Sequence, residues 1–155
     1  MPEHRPAFKW SAKTPIGSEQ MQTNVNTLRS GMAAQGRPVV VIVDDDPAVC
    51  SSLKFSLEIE GFTVRTFGSG AELLHSNGLA ACNCFVIDQR MPAMSGLEVI
   101  RKLREQHVAA PAILITSHPN PALSARAAQA EIPIVEKPLL GNALIDKIRE
   151  ACRTA

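Results

Sequence analysis

The chain has 155 residues, of which 45% are hydrophobic and 20% charged, and its formal net charge is +1 at pH 7. This length and composition predict one ordinary globular domain with room for a terminal tail. The small net charge gives no electrostatic reason to expect direct DNA binding. The sequence has neither an apolar run long enough to cross a membrane nor the apolar core of a signal peptide. We therefore expect a cytoplasmic protein that contacts neither DNA nor membrane.

The four cysteines, Cys50, Cys82, Cys84 and Cys152, do not follow a zinc-site pattern. Cys82 and Cys84 are two positions apart, and no second pair of ligands completes a tetrahedral set. Free thiols in a reducing compartment are therefore expected.

Residues 1–37 differ in composition from the rest of the chain. They are polar, they are interrupted by prolines, and they hold Trp10, the only tryptophan. Four apolar residues fall at helical spacing, namely Met21, Val25, Leu28 and Met32. The asparagine and threonine residues between them are poor helix formers. We predict a loosely ordered N-terminal extension over residues 1–37, with a short docking helix as the alternative.

From Pro38 onward, five apolar runs with strand character alternate with five helical patterns. The runs cover residues 39–43, 62–67, 85–87, 112–115 and 132–135. Cap signals precede four of the helices, namely Asp46-Pro47, Ser69 with Glu72, Ser95 with Glu98, and Asn120-Pro121. Because connections between parallel strands are right-handed, the helices must cover both faces of one sheet. Residues 38–155 therefore predict a doubly wound α/β domain, with the proline-bearing fifth strand at an edge.

Polar residues that could take part in binding or catalysis follow four of the five predicted strands. Asp44 and Asp45 follow the first strand, Asp88 the third, Thr116 the fourth and Lys137 the fifth. The carboxyl ends of parallel strands meet at one edge of a sheet, so these side chains should converge there.

Crowded carboxylates repel one another, which either raises a pKa or recruits a cation. Hard oxygen ligands with room for water suit Mg²⁺. Together with the charge of Lys137 and the hydroxyl of Thr116, this set suits the holding of a phosphoryl group that a carboxylate accepts. Each residue alone could be a helix cap, a loop acid or a surface lysine, and it is their joint placement that favours a site.

Four segments in this order resemble bacterial response-regulator receiver domains, above all receivers of the nitrogen-fixation regulator (FixJ) type. The segments are VVIVDDDPAV, FVIDQRMPAMSG, ILITSHP and VEKP. The resemblance covers Pro38 to about Arg153. It implies a CheY-like, flavodoxin-like fold of five parallel strands in the order 2-1-3-4-5 with five helices.

The resemblance also implies a phosphoryl acceptor and a metal site. Asp88 would accept the phosphoryl group from a sensor histidine kinase or a phosphotransfer protein. Asp45, Asp88 and the backbone carbonyl of Arg90 would bind Mg²⁺, and Asp44 would act through metal-bound water.

A switch is implied in the same way. Lys137 would pair with Asp88 and then with the phosphoryl oxygens. The Lys137-Pro138 peptide bond would be cis. Thr116 would turn toward the phosphoryl group on activation. The sequence departs from the family pattern at Ile134, where a tyrosine or phenylalanine is usual, and at Ala130-Glu131, where Gly-Ala is usual.

The leading hypothesis is a stand-alone receiver, because the chain ends with the fifth helix. It would signal by phosphorylation-dependent contact with an unknown downstream protein. The face of helix four, strand five and helix five would serve for this contact or for a homodimer. A phosphate sink or relay, and a non-switching docking protein suggested by Ile134, are alternatives. An aspartyl-phosphate phosphatase would need a second acid at Arg90, and no glycine-rich nucleotide loop follows the first strand, so an enzyme is not expected.

Overall fold

The computed structural model describes residues 36–154. The chain divides into two units at residue 37, and the unit that begins at Pro38 contains all of the elements described below. The candidate helix of the N-terminal extension lies outside the described residues. Within residues 36–154, no helix is both long enough and apolar enough to cross a bilayer.

Five parallel strands form one sheet in the order β2-β1-β3-β4-β5. They are β1 (Val39–Val43), β2 (Thr63–Phe67), β3 (Cys84–Asp88), β4 (Ala112–Thr116) and β5 (Ile134–Glu136). The register places Asp88 beside Ile115 and Thr116 beside Glu136, so the polar strand ends lie level with one another. The predicted doubly wound fold, its strand order and the edge position of the fifth strand are confirmed.

Five helices connect the strands. They are α1 (Pro47–Ile59), α2 (Gly70–Leu74), α3 (Gly96–Glu105), α4 (Pro121–Gln129) and α5 (Ala143–Thr154). The four predicted N-caps are all present, because the side chains of Asp46, Ser69, Ser95 and Asn120 each accept a backbone N–H bond from the first turn. A short 3-10 turn over Leu79–Ala81 was not predicted.

The core has one layer on each face of the sheet. Helices α1 and α5 cover one face, where Leu57 and Ile148 are buried against the strands. Helices α2, α3 and α4 cover the other face, where Leu73 and Leu103 are buried. Each such aliphatic side chain contributes about 1.5–3 kcal/mol by leaving water. The two layers hold the strand ends, and therefore the polar residues that follow them, in fixed relative positions.

Two details near β5 differ from the sequence predictions. Helical spacing from Leu123 through Ala127 predicts Ala130 on the buried face of the fourth helix, but Ala130 is exposed, because α4 ends at Gln129 and Ala130 is its C-cap. The predicted strand 132–135 begins instead at Ile134. Pro133 has no N–H to donate, although its carbonyl accepts a bond of 2.9 Å from the N–H of Leu114.

Candidate functional site

The carboxyl edge of the sheet brings together the polar residues that follow β1, β3, β4 and β5. Asp44 is 1% exposed, Asp88 is 5% exposed and Thr116 is fully buried. Buried polar groups at strand ends require partners, since an unpaired one costs free energy. The contacts of each residue therefore define what the site can do.

Lys137 lies between two carboxylates. Its Nζ atom donates a hydrogen bond of 2.8 Å to Oδ2 of Asp44 and lies 3.4 Å from Oδ1 of Asp88. Burial alone would lower the pKa of Lys137, but the bond to Asp44 and the charge of Asp88 raise the pKa above its ordinary value. The Lys137-Pro138 peptide bond is cis, and the N–H of Lys137 donates to the carbonyl of Thr116 at 2.8 Å. The lysine therefore remains charged and is held over the end of the sheet.

Asp88 is the last residue of β3, and its carboxylate is costly to ionise. Its pKa is raised, first because the group is buried and second because the charge of Asp44 is close, while Lys137 acts in the opposite direction. A carboxylate in such surroundings gains from any positive charge that approaches it.

One carboxylate oxygen from each of Asp44, Asp45 and Asp88 lies within 4.8 Å of the others. Asp46, the third acid of the run, is not part of this cluster, because its side chain caps α1 by accepting the N–H of Ala48 at 2.9 Å. The cluster offers only hard oxygen donors and holds more negative charge than one lysine neutralises. Its chemistry therefore fits Mg²⁺.

Thr116 and Arg90 lie at the same edge, and the side chains of both contact His118. The Oγ1 atom of Thr116 accepts a bond of 3.2 Å from the N–H of His118. The guanidinium of Arg90 points to the same histidine, with 3.3 Å between Nη1 and Nδ1. Ile134, at the predicted switch position, is partly buried and packs against the core layer beneath α3 and α4. The structure thus groups the carboxylates with Lys137, and Thr116 with His118 and Arg90.

The loop after Asp88 is fixed by contacts that the sequence did not reveal. The side chain of Gln89 accepts the N–H of Leu97 at 3.0 Å, and the N–H of Gly96 donates to the carbonyl of Gln89 at 3.1 Å. A Cβ atom on Gly96 would lie 2.6 Å from the carbonyl oxygen of Asp88, so only glycine permits this close approach. In the sequence, the one sign of this close approach was that Gly96 directly follows the predicted N-cap, Ser95, which forms the predicted capping box with Glu98.

All four cysteines are free thiols, as expected. Cys50 was not predicted to be near the site, yet its Sγ donates to the backbone carbonyl of Asp44 at 3.3 Å. Burial and the charge of Asp44 raise the pKa of Cys50, and burial raises the pKa of Cys82 to about 11. Both are therefore protonated packing groups at neutral pH.

Comparison with known proteins defines the class. The model of the response regulator receiver domain family matches residues 40–149. The response regulator protein TmoT of Ectopseudomonas mendocina is 38% identical over 118 residues, which are 76% of this chain and 54% of the relative. The chain thus spans about half the length of the curated relatives it matches.

Solved structures agree with this. FixJ-N is 33% identical with a TM-score of 0.66, and the match covers 76% of this chain and 95% of that one. The response regulator StyR is 32% identical with a TM-score of 0.70, over 77% of this chain and 61% of StyR. The chain belongs to the response regulator receiver domains, the phosphoacceptor modules of two-component signalling.

Proposed function

We propose that Asp88 accepts a phosphoryl group from a phosphohistidine on a sensor histidine kinase or phosphotransfer protein. One observation carries this assignment. Asp88 ends β3 close to the lysine that follows β5, with 3.4 Å between Lys137 Nζ and Asp88 Oδ1, and it shares its carboxylate cluster with Asp44 and Asp45. An acid, a cation and further metal-binding oxygens are the groups that phosphoryl transfer to a carboxylate requires.

In the transfer, a carboxylate oxygen of Asp88 forms a bond to phosphorus while the bond between phosphorus and the donor's imidazole nitrogen breaks. The imidazole leaves with its electron pair and takes up a proton, and an acyl phosphate remains on Asp88. Lys137 neutralises the phosphoryl oxygens as their charge reaches the site. Asp45, Asp88 and the Arg90 carbonyl would hold Mg²⁺, with Asp44 acting through water, and the bound ion would supply further positive charge to those oxygens.

The phosphoryl group would then compete for the hydroxyl of Thr116, which accepts a bond from His118 in this structure. We infer that the hydroxyl turns to donate to a phosphoryl oxygen and that the packing around Ile134 adjusts. The face formed by α4, β5 and α5 adjoins these residues. It would carry the change to an unknown downstream protein or to a second copy of the domain.

The test is the intact mass of the protein after incubation with acetyl phosphate and Mg²⁺. The wild type should gain one phosphoryl group, and Asp88→Asn should gain none. Asp46→Asn is the matched control, because it removes a neighbouring acid from outside the cluster while asparagine still caps α1. Equal labelling of wild type and Asp88→Asn would reject Asp88 as the acceptor.

A second candidate is a receiver that is phosphorylated without switching and serves as a docking protein or phosphate sink. Ile134 favours it, since this aliphatic side chain is already packed against the core and has no ring or hydroxyl to reposition. Beryllofluoride with Mg²⁺ mimics the phosphoryl group. Amide shifts confined to the pocket would support this candidate, and shifts spreading through α4 and β5 would reject it.

We do not expect enzymatic turnover of an external substrate. A phosphatase of the aspartyl-phosphate class needs a second acid two residues after the nucleophile, and this position is Arg90, whose guanidinium faces His118. Only slow hydrolysis of the protein's own acyl phosphate should occur. Multiple turnovers of a phosphomonoester by wild type but not by Asp88→Asn would contradict this expectation.

A further inference from the structure

A groove with a volume of about 430 Å³ lies between α3 and α4, on the face of the sheet away from α1 and α5. Its floor is formed by the core residues Leu97, Ile100 and Ile132, which are only 8%, 3% and 7% exposed, and Gln129 and Ala130 lie exposed at its edge. Its rim carries three arginines, Arg101, Arg104 and Arg126. No acidic residue from the described part of the chain lines the groove. A groove whose exposed rim carries charge of one sign is complementary to a partner of the opposite charge.

The positive charge on the rim is not neutralised within residues 36–154. Arg104 and Arg126 form no ion pair with any described carboxylate. Arg104 is nevertheless held in place, because its Nη1 donates to the backbone carbonyls of Val108 at 2.7 Å and Ala110 at 2.8 Å. Its guanidinium is partly desolvated, which lowers its pKa. A fixed, partly buried cation without a counter-charge would be stabilised by an approaching anion.

The third arginine of the rim is only weakly engaged. Arg101 pairs with Glu105 at 2.6 Å, but the two side chains are 62% and 59% exposed. Pairs of this kind contribute little, since water and salt screen them. Arg101 can therefore turn toward a carboxylate placed in the groove.

We propose that the groove between α3 and α4 binds an acidic amphipathic helix of a partner protein. Its carboxylates would meet the guanidiniums of Arg104 and Arg126, and its apolar side chains would contact the exposed Ala130 at the edge of the groove. A channel between two helices fits a third helix, and arginine pairs with carboxylates through two parallel bonds. Single-stranded nucleic acid fits less well, because the lining holds no aromatic side chain on which a base could stack.

Arg126 links this groove to the proposed phosphorylation site. It also lines a neighbouring cavity of about 500 Å³ that contains Arg90, Thr116 and His118. A helix lying along the groove would therefore end beside the residues expected to move on phosphorylation. The partner would be the downstream protein, reached through α4, which this groove shares with the proposed face of α4, β5 and α5; that part of the inference rests on the proposed function.

The experiment uses the unphosphorylated full chain and a fluorescent peptide as the probe. The peptide has 16 residues, with leucine at helical spacing and glutamate at the other positions, and a matched peptide carries glutamine in place of glutamate. Anisotropy should show that the glutamate peptide binds and that its affinity falls as salt rises. Arg126→Glu should weaken binding roughly tenfold. Lys54→Glu, a charge reversal on α1 at the opposite face of the sheet, should leave it unchanged.

Amide shift changes caused by the glutamate peptide should map to α3 and α4. Equal binding of the glutamine peptide, equal loss with Lys54→Glu, or shifts on another face would overturn the inference. A dimer seen in sedimentation that Arg126→Glu dissociates would also overturn it, because a second copy of the chain would then occupy the groove. So would an oligonucleotide that binds the groove when the peptide does not.

The outcome is separable from that of the proposed function, because Asp88→Asn should retain peptide binding. Normal labelling of Asp88 without peptide binding would reject the groove alone. Peptide binding without labelling would reject Asp88 as the acceptor and leave the groove.

Discussion

The Nζ atom of Lys137 donates its shorter hydrogen bond, 2.8 Å, to Oδ2 of Asp44 rather than to Asp88. The other oxygen of Asp44 accepts the N–H of Asp46 at 2.9 Å. Both oxygens of this nearly inaccessible carboxylate are therefore engaged, and Asp44 positions the lysine beside Asp88. A phosphoryl group on Asp88 would compete with Asp44 for that lysine.

Removing the lysine charge should destabilise the fold when no divalent cation is present. Lys137→Met leaves three neighbouring carboxylates without their cation. We expect the free energy of unfolding to fall by about 2 kcal/mol, less than for a fully buried pair because the lysine side chain is 19% exposed. Urea denaturation in the presence of a chelator measures this.

The control for that variant is Lys54→Met. Lys54 pairs with Glu58 at 3.3 Å, but both side chains are 47% exposed. Its loss should cost less than about 0.5 kcal/mol. If the two variants lose equal stability, the central ion pair is no stronger than a surface pair, and Asp44 does not hold the lysine as inferred.

The charge of Asp88 should lower stability in a pH-dependent way. Its pKa is raised in the folded state, mainly by burial and then by Asp44. The loss of folding free energy caused by ionising Asp88 is therefore absent below the ordinary aspartate pKa and complete above the raised pKa of the folded state. Asp88→Asn should be more stable than wild type at neutral pH without metal, and this gain should shrink as the pH falls through that window.

Denaturation of both proteins across the acid range, with Asp46→Asn in parallel, measures the effect. Asp46 is exposed and caps α1, and asparagine preserves the cap. A gain for Asp88→Asn that stays constant with pH, or a loss of stability at neutral pH, would contradict the assigned cause.

Mg²⁺ should stabilise the wild type through the carboxylate cluster. At ten times its dissociation constant, the ion should raise the free energy of unfolding by about 1.4 kcal/mol, since it binds only the folded state. Asp45→Ala should abolish this increment. Asp45 is exposed, so the variant should keep the fold.

Titrating wild type, Asp45→Ala and Asp46→Asn with Ca²⁺ or Mg²⁺ distinguishes binding of the ion at the carboxylate cluster from general screening of charge. Asp46→Asn should retain the full increment. A Mg²⁺ increment that survives Asp45→Ala would mean that the ion binds elsewhere.

Glu131 occupies a backbone conformation that favours glycine. Its φ is +58°, directly after the C-cap of α4, where a side chain clashes with the backbone. Glu131→Gly should raise the free energy of unfolding by about 1 kcal/mol. Glu131→Ala removes the charge but keeps the Cβ atom. An equal gain for alanine would show that the charge, and not the backbone, is responsible.

Much of the fold could be predicted because the local signals agree with one another. Val39–Val43 is an unbroken β-branched run that ends in acids, and the helix caps identify where each connection turns. Pro133 was a correct signal for the edge strand, although the strand begins one residue after it. Ala130 was misplaced because helical periodicity does not show where a helix ends.

The site was predictable as a set of residues but not as a set of contacts. Strand ends place Asp44, Asp88, Thr116 and Lys137 at one edge, and the sheet topology alone ensures this. Sequence could not show that Lys137 lies closer to Asp44 than to Asp88, or that Thr116 bonds to His118. Such choices depend on side-chain rotamers and on differences of a few tenths of an ångström that no pattern records.

The central claim is that Asp88 itself carries the phosphoryl group. Borohydride reduces an acyl phosphate to an alcohol, so treatment of the acetyl phosphate-labelled protein should convert Asp88 to homoserine and release phosphate. Peptide mass spectrometry should find this change at Asp88 alone, and only when both Mg²⁺ and acetyl phosphate were present. Homoserine at Asp44 or Asp45, or labelled protein with Asp88 unchanged, would contradict the account.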